Sequence, residues 1–187
     1  MSATAILKDE HRSIERMLNV LETTSSRLKE GRDVSPRIFR DALKFIKQFA
    51  DGCHHHKEEI LLFPTMIEKG FLREAGPIAV MLSEHDIGRA HVRSMLEAVE
   101  KYEHGDKTGA SQLTSSADAF IGLLRQHILK EDNVLFPMAD QHFSEADQTK
   151  LLAQFEDVDR SGEACCMKTE LLNLLQGLEG EVARTMR

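Results

Sequence analysis

Two copies of one short pattern carry the residues best able to do chemistry. The first is Cys53-His54-His55-His56-Lys57-Glu58-Glu59-Ile60-Leu61-Leu62-Phe63-Pro64. The second is Gln126-His127-Ile128-Leu129-Lys130-Glu131-Asp132-Asn133-Val134-Leu135-Phe136-Pro137. Aligning the two Leu-Phe-Pro ends sets His54 on His127, Lys57 on Lys130 and Glu58 on Glu131, so each copy reads His-x-x-x-Glu. On an α-helix, residues four apart share a face, about 6 Å apart along the axis. An imidazole and a carboxylate stacked in this way can share a metal ion, and two facing pairs can hold two ions.

Two single histidines fall at the matching level. The step from His11 forward to Glu30, where the first helix should end, nearly equals the step from Pro36, where the second should begin, to His54. The step from His85 to His104 likewise equals the step from Thr108 to His127. At a constant rise of about 1.5 Å per residue, antiparallel neighbours bring each pair to one height. The His11-to-His54 separation also matches that of His85 and His127 to within a single position, and a glutamate precedes both His11 and His85. The chain therefore carries a pseudo-duplication, and its candidate ligands follow it. The expected set is His11, His54, Glu58, His85, His127 and Glu131, with the carboxylates bridging two ions and two histidines on each. Six titratable groups on apolar stripes would be costly to bury without metal. Mixed imidazole and carboxylate ligands suit iron, manganese or zinc. Ferritin-like bundles use Glu-x-x-His instead, and no histidine of this chain has a glutamate three residues before it.

The remaining histidines and cysteines take plainer readings. His55 and Glu59 repeat the spacing one position on, rotated by about 100°, and are expected beside the ligand set or on the surface, with His55 as an extra ligand the alternative. His91 is half a turn off the His85 face, and His104 and His142 sit at helix ends. Arg89, one turn after His85, is expected on the surface or in an ion pair. Three cysteines, Cys53, Cys165 and Cys166, make no disulfide framework, and Cys53 is expected as a buried small residue.

The elements that must position these groups are all helical. Leu7, Ile14, Leu18, Leu21 and Leu28 recur at three- and four-residue steps, predicting a helix over Ala3 to Lys29. Ser35-Pro36 opens a second helix, which Pro64 should kink and Gly70 should stop. Gly76-Pro77 opens a third and Gly105-Asp106 precedes a fourth. No strand pattern competes. The expected fold is all-α, an antiparallel up-down four-helix bundle over residues 1–142, followed by a C-terminal helical appendage over 143–187. In that appendage, one short helix should reach about Val158 and a last one should run from about Cys165 to Glu179.

Composition narrows the function classes. The chain has 187 residues, 41% hydrophobic and 29% charged. That balance is ordinary for a soluble globular protein. A net charge of −7 argues against a general binder of nucleic acid or anionic membrane. No apolar run approaches the ~18 residues of a membrane span. The N-terminal stretch lacks a basic n-region and a long apolar run, so a cytoplasmic location is expected.

The residues quoted above resemble the hemerythrin-like, HHE cation-binding family. The match runs through Glu10-His11, the stretch from Cys53 to Pro64, Glu84-His85-Asp86-Ile87-Gly88-Arg89, and His127 through Asp132 to Phe136-Pro137, covering roughly residues 1–142. The resemblance implies a non-heme centre of two iron ions with an oxo or hydroxo bridge, and binding of dioxygen, nitric oxide or peroxide. The classical oxygen carriers of the family place a second histidine four residues after the first on the third helix, where this chain has Arg89. Their last carboxylate is an Asp five residues after its His, where Asp132 stands. Glu131 repeats the Glu58 spacing and is the expected ligand, with Asp132 the alternative. The functions implied are a small-ligand or redox sensor, or a di-iron enzyme acting on peroxide or nitric oxide or repairing iron-sulfur clusters. Nothing in the sequence names a protein partner.

Overall fold

The computed structural model describes residues 2–161 and 167–185. Six helices follow one another there, and no strand occurs among the described residues. Helix α1 is Ala3–Lys29, started by Ser2, whose hydroxyl accepts from the Ala5 N–H. Helix α2 spans 36–68, α3 is Gly76–Glu103 and α4 spans 107–142. Asp106 caps α4 by accepting from the Thr108 N–H. The α3–α4 turn needs glycine twice. Gly105 has φ +77, and a Cβ on Gly109 would lie 2.5 Å from the Tyr102 backbone nitrogen. These four helices form the bundle.

Helices α2 and α4 are not uniformly α-helical. Ile46–His55, Glu58–Leu62 and Glu131–Leu135 are π-helical. In these turns the backbone reaches back five residues: His56 N–H donates to Asp51 O, Phe63 N–H to Glu58 O and Phe136 N–H to Glu131 O. Two of the stretches end immediately before the Phe-Pro of each copy. A proline ring clashes with the carbonyl four residues back and supplies no N–H. A wider turn relieves that conflict, so α2 runs through Pro64 to Glu68 instead of breaking there.

The C-terminal helices are α5 (Glu145–Ser161) and α6 (Lys168–Thr185). Helix α5 runs past the expected Val158, and α6 runs past the expected Glu179. The expected start of α6 at Cys165 lies outside the described residues. Helix α6 packs on α1 and α2, burying Leu171, Leu175, Leu178 and Val182 in the cluster that also holds Met17, Phe39 and Phe49. Leu151 and Phe155 of α5 join Leu7, Phe63 and Phe136 in a second cluster. Along α1, α2 and α4 the two apolar clusters are separated by a buried layer that holds His11, His54, Glu58, His127 and Glu131. No helix among the described residues is long and apolar enough to cross a membrane.

Candidate metal centre

The buried layer gathers imidazoles and carboxylates from all four bundle helices. The ring centroids of His11 and His54 are 4.6 Å apart, and those of His85 and His127 are 4.8 Å apart. Each antiparallel pair thus meets at one height, with its glutamates alongside. His54 Nε2 is 3.4 Å from Glu58 Oε1, and His85 Nε2 is 3.5 Å from Glu58 Oε2. His11 Nε2 and His127 Nε2 each lie 3.2 Å from Glu131 Oε2. Both glutamates therefore touch one imidazole from each pair, the placement a bridging carboxylate requires.

The groups divide into two overlapping clusters. His11, His54, Glu58 and Glu131 have ligand atoms within 4.8 Å of one another, and so do His55, Glu58, His85 and His127. Glu58 belongs to both. His55, the alternative extra ligand of the sequence, therefore joins the second cluster. Its ring stacks on His85 at 3.9 Å, 18° from parallel. The cause is the π-helical stretch that ends at His55. A wider turn rotates successive residues by less than an α-helix does, so His54 and His55 both face the interior, each to a different partner. The histidines divide two and three rather than evenly. No imidazole stands four residues after His85, and α2 brings His55 against His85 instead. Arg89 at that position donates instead to Asp51 and Glu59, each at 2.8 Å, and to Asp86, as an ion-pair residue.

Every one of the five imidazoles is held from behind by a carboxylate at Nδ1. His11 meets Asp132 at 2.7 Å, His54 meets Glu10 at 3.1 Å and His55 meets Asp51 at 3.4 Å. His85 meets Glu59 at 2.6 Å and His127 meets Glu84 at 2.9 Å. A carboxylate on one ring nitrogen fixes the tautomer and leaves the other nitrogen's lone pair directed at a metal. This also explains Asp132. It backs His11 with help from Arg12, while Glu131, fully buried, faces the ligand atoms. The glutamates before His11 and His85, noticed in the sequence only as a repeat, are the acceptors for His54 and His127.

On the interior face of the layer His85 Nε2 and His127 Nε2 meet at 3.2 Å, and the other inward atoms are unpartnered. Among the described residues, no hydrogen bond satisfies His11 Nε2, His54 Nε2 or any oxygen of Glu58 and Glu131; the approaches of 3.2 Å and 3.4 Å within the layer lack the required geometry. Buried polar atoms left in this state are rare in folded proteins, and these four side chains converge. Electrostatics agrees. Burial, then the neighbouring charges of Glu131 and Glu10, push the Glu58 carboxyl well up. Burial acts the same way on Glu131, but His127 and His11 outweigh it and hold that carboxyl well down. Burial, with the charges of nearby imidazoles, lowers His54 and His85 to about 3, keeping both rings neutral and able to ligate. The residues present fit two cations.

A cavity of ≈ 300 Å³ opens beside the layer between α2, α3 and α4, with His55 and His85 in its wall. Ile46, Val92, Phe120 and Leu124 make much of its lining. Elsewhere the plainer expectations hold. His104 and His142 donate from Nδ1 to the carbonyls of Glu100 and Met138 within their own helices. Cys53 is buried as expected, but it is also disulfide-bonded, against the expectation from three cysteines. Cys165 and Cys166 lie outside the described residues.

A helical bundle enclosing two clusters of His and Glu ligands, suited to a di-iron-type site, is a metal-binding protein. The chain belongs to the Hemerythrin HHE cation binding domain family, which matches residues 2–139. It is 25% identical over 166 residues to an uncharacterized protein of Mycobacterium tuberculosis, covering 88% of this chain and 64% of that protein. It is 34% identical over 116 residues to the iron-sulfur cluster repair protein YtfE of Salmonella typhimurium, covering 56% of this chain and 49% of YtfE. The chain thus spans between about half and under two thirds of the length of these relatives.

Proposed function

We propose that the chain is a non-heme di-iron protein that binds or reacts with a small ligand, dioxygen, nitric oxide or peroxide, in redox sensing or stress response. His11 and His54 would hold one ion, His55, His85 and His127 the other, and Glu58 and Glu131 would bridge them. The observation that carries this reading is the set of five imidazoles, each backed by its own carboxylate and turned toward two bridging glutamates. Bound iron would supply reversible electron transfer and an exchangeable coordination position.

The protein's own residues do the rest. The carboxylates at Nδ1 hold the rings in their ligating tautomer. The apolar cavity reaches the layer at His55 and His85, and a small neutral ligand would pass from there, beside the shared Glu58, to the ion held by His11 and His54. Arg89, pinned to Asp51 and Glu59, links α2 to α3 beside that entrance. The unequal division of histidines bears on where a ligand binds. His55 would give the ion beside His85 and His127 three imidazoles, so the ion held by His11 and His54 would have fewer protein ligands and would be the one to keep an exchangeable position.

The test is metal analysis and optical titration of the anaerobically iron-loaded chain. About two iron atoms per chain are expected, with a spectrum that changes when nitric oxide is added to the reduced protein. One iron or none overturns the di-iron reading. Similarity to YtfE favours a second reading, iron-sulfur cluster repair. Restoration of a damaged cluster in a target protein, lost in Glu58→Ala, would select it.

A further inference from the structure

The pseudo-duplication places Glu10 and Glu84 in equivalent positions. Each accepts from Nδ1 of a histidine, His54 or His127. Each also pairs with the lysine three residues after that histidine, Lys57 or Lys130. The two sets differ in one respect. The Lys130 side chain is 41% exposed and Glu84 15%, so solvent reaches that set. The Lys57 side chain is fully buried and Glu10 is 3% exposed.

The C-terminal helices provide the seal. Asp159 of α5 accepts from Lys57 Nζ at 2.6 Å. Lys168, at the start of α6, donates to Glu10 Oε1 at 2.7 Å. Phe155 of α5 lies under the Lys57 ammonium, 5.6 Å from ring centroid to nitrogen. Two ammoniums and two carboxylates make a neutral network. A fully buried ammonium is tolerated only with such pairing. The family match ends at residue 139, so half of this network comes from chain beyond it.

We propose that Asp159 and Lys168 are positioning residues of the metal centre: through Lys57 and Glu10 they set how strongly His54 is held and polarised. Helices α5 and α6 thereby govern the ion that His11 and His54 would bind. The inference rests on the di-metal reading above. The two residues act in opposite senses. Without Asp159, Glu10 serves two ammoniums alone and has less charge to offer the His54 N–H. Without Lys168, Glu10 has more to offer, and the imidazole becomes the more basic ligand. A role limited to packing has no such sign.

Asp159→Asn and Lys168→Met test this, with Lys130→Met as the solvent-exposed counterpart. The first readout needs no metal: the His54 Nδ1–H proton resonance in the metal-free protein. It should move upfield in Asp159→Asn and downfield in Lys168→Met. The second is stepwise iron affinity against a chelator. Asp159→Asn should weaken one of the two ions by about 10- to 100-fold, as loss of outer support does, and leave the other unchanged. Lys168→Met should not weaken it, and Lys130→Met should move neither His54 nor that ion. Shifts of the same sign in Asp159→Asn and Lys168→Met, or no shift in either, overturn the proposal. Should Asp159→Asn fail to fold, Asp159→Glu keeps the charge and must retain the wild-type resonance. If wild type binds no pair of ions, the di-metal reading fails, and the resonance still decides the positioning claim.

Discussion

Removing the metal should cost this protein an unusually large share of its stability, and the structure sets the size. His11, His54, Glu58 and Glu131 carry six buried atoms without a hydrogen-bond partner among the described residues. Each unsatisfied buried group costs about 1–3 kcal/mol, so these four side chains carry roughly 4–12 kcal/mol in the metal-free state. Protonation of Glu58 and trapped water relieve part of that, which favours the lower end. Linkage gives a similar figure. An ion present at a hundred times its dissociation constant adds about 2.7 kcal/mol, so two add about 5 kcal/mol. For a domain of this size, 1 kcal/mol shifts the melting temperature by about 2–4 °C, so iron-loaded protein should melt about 10–20 °C above chelated protein. Circular dichroism under anaerobic conditions measures the difference. A built-in control is Glu58→Gln with Glu131→Gln. It removes both carboxylates that would bridge the ions, so its melting temperature should not respond to added iron. A shift below about 3 °C in wild type, near 1 kcal/mol on the same scale, or a double variant that still responds to iron, would refute the claim that this layer is built around metal.

Other outcomes follow from individual residues. Glu58→Ala or Glu131→Ala should lose both ions, whereas Asp132→Asn should retain two with about 10- to 100-fold weaker affinity; atomic absorption on the purified variants distinguishes them, and the reverse pattern would exchange the roles of Glu131 and Asp132. His55→Ala should keep two ions but change the optical spectrum and bind exogenous anions more readily; an unchanged spectrum would remove His55 from the ligand set. In the metal-free protein His54 and His85 lie near 3 rather than the usual 6.5. Their depressed values contribute stability that is fully present above about 6.5 and lost as pH falls through about 3, so the melting temperature should decline steadily over that window.

The bundle and most of the layer were legible because they follow rules local to one helix. Three- and four-residue periodicity marks the apolar faces, Ser-Pro and Gly-Asp mark the ends, and His-x-x-x-Glu marks two ligands at once. The level of His11 against His54 needed only helical rise. His55 stood only as an alternative because about 100° per residue turns it away from His54, and that rotation fails in a π-helical stretch. The signal was present in two places, the run of three histidines with no counterpart in the second copy and the proline that follows each motif. At the position equivalent to His55 the second copy has Ile128, buried in the apolar core, so the duplication is broken there by a change from ligand to packing residue. The backing carboxylates were partly visible, since Glu10 and Glu84 repeat, but their role was not. Each serves a histidine on a different helix, and no spacing along one helix encodes such a contact. Lys57 is the clearest case. Its alignment with Lys130 was plain, yet one ammonium is sealed and the other exposed, because α5 and α6 cover only one half of the bundle. Two halves that read alike in sequence thus surround their candidate ligands differently. The cluster with three histidines adjoins an open apolar cavity, and the cluster with two lies under a neutral, buried charge network. If the pair cycles between redox states, this asymmetry predicts that its two irons do so at different potentials, which a mixed-valence spectrum at half reduction would reveal and a single two-electron step would contradict.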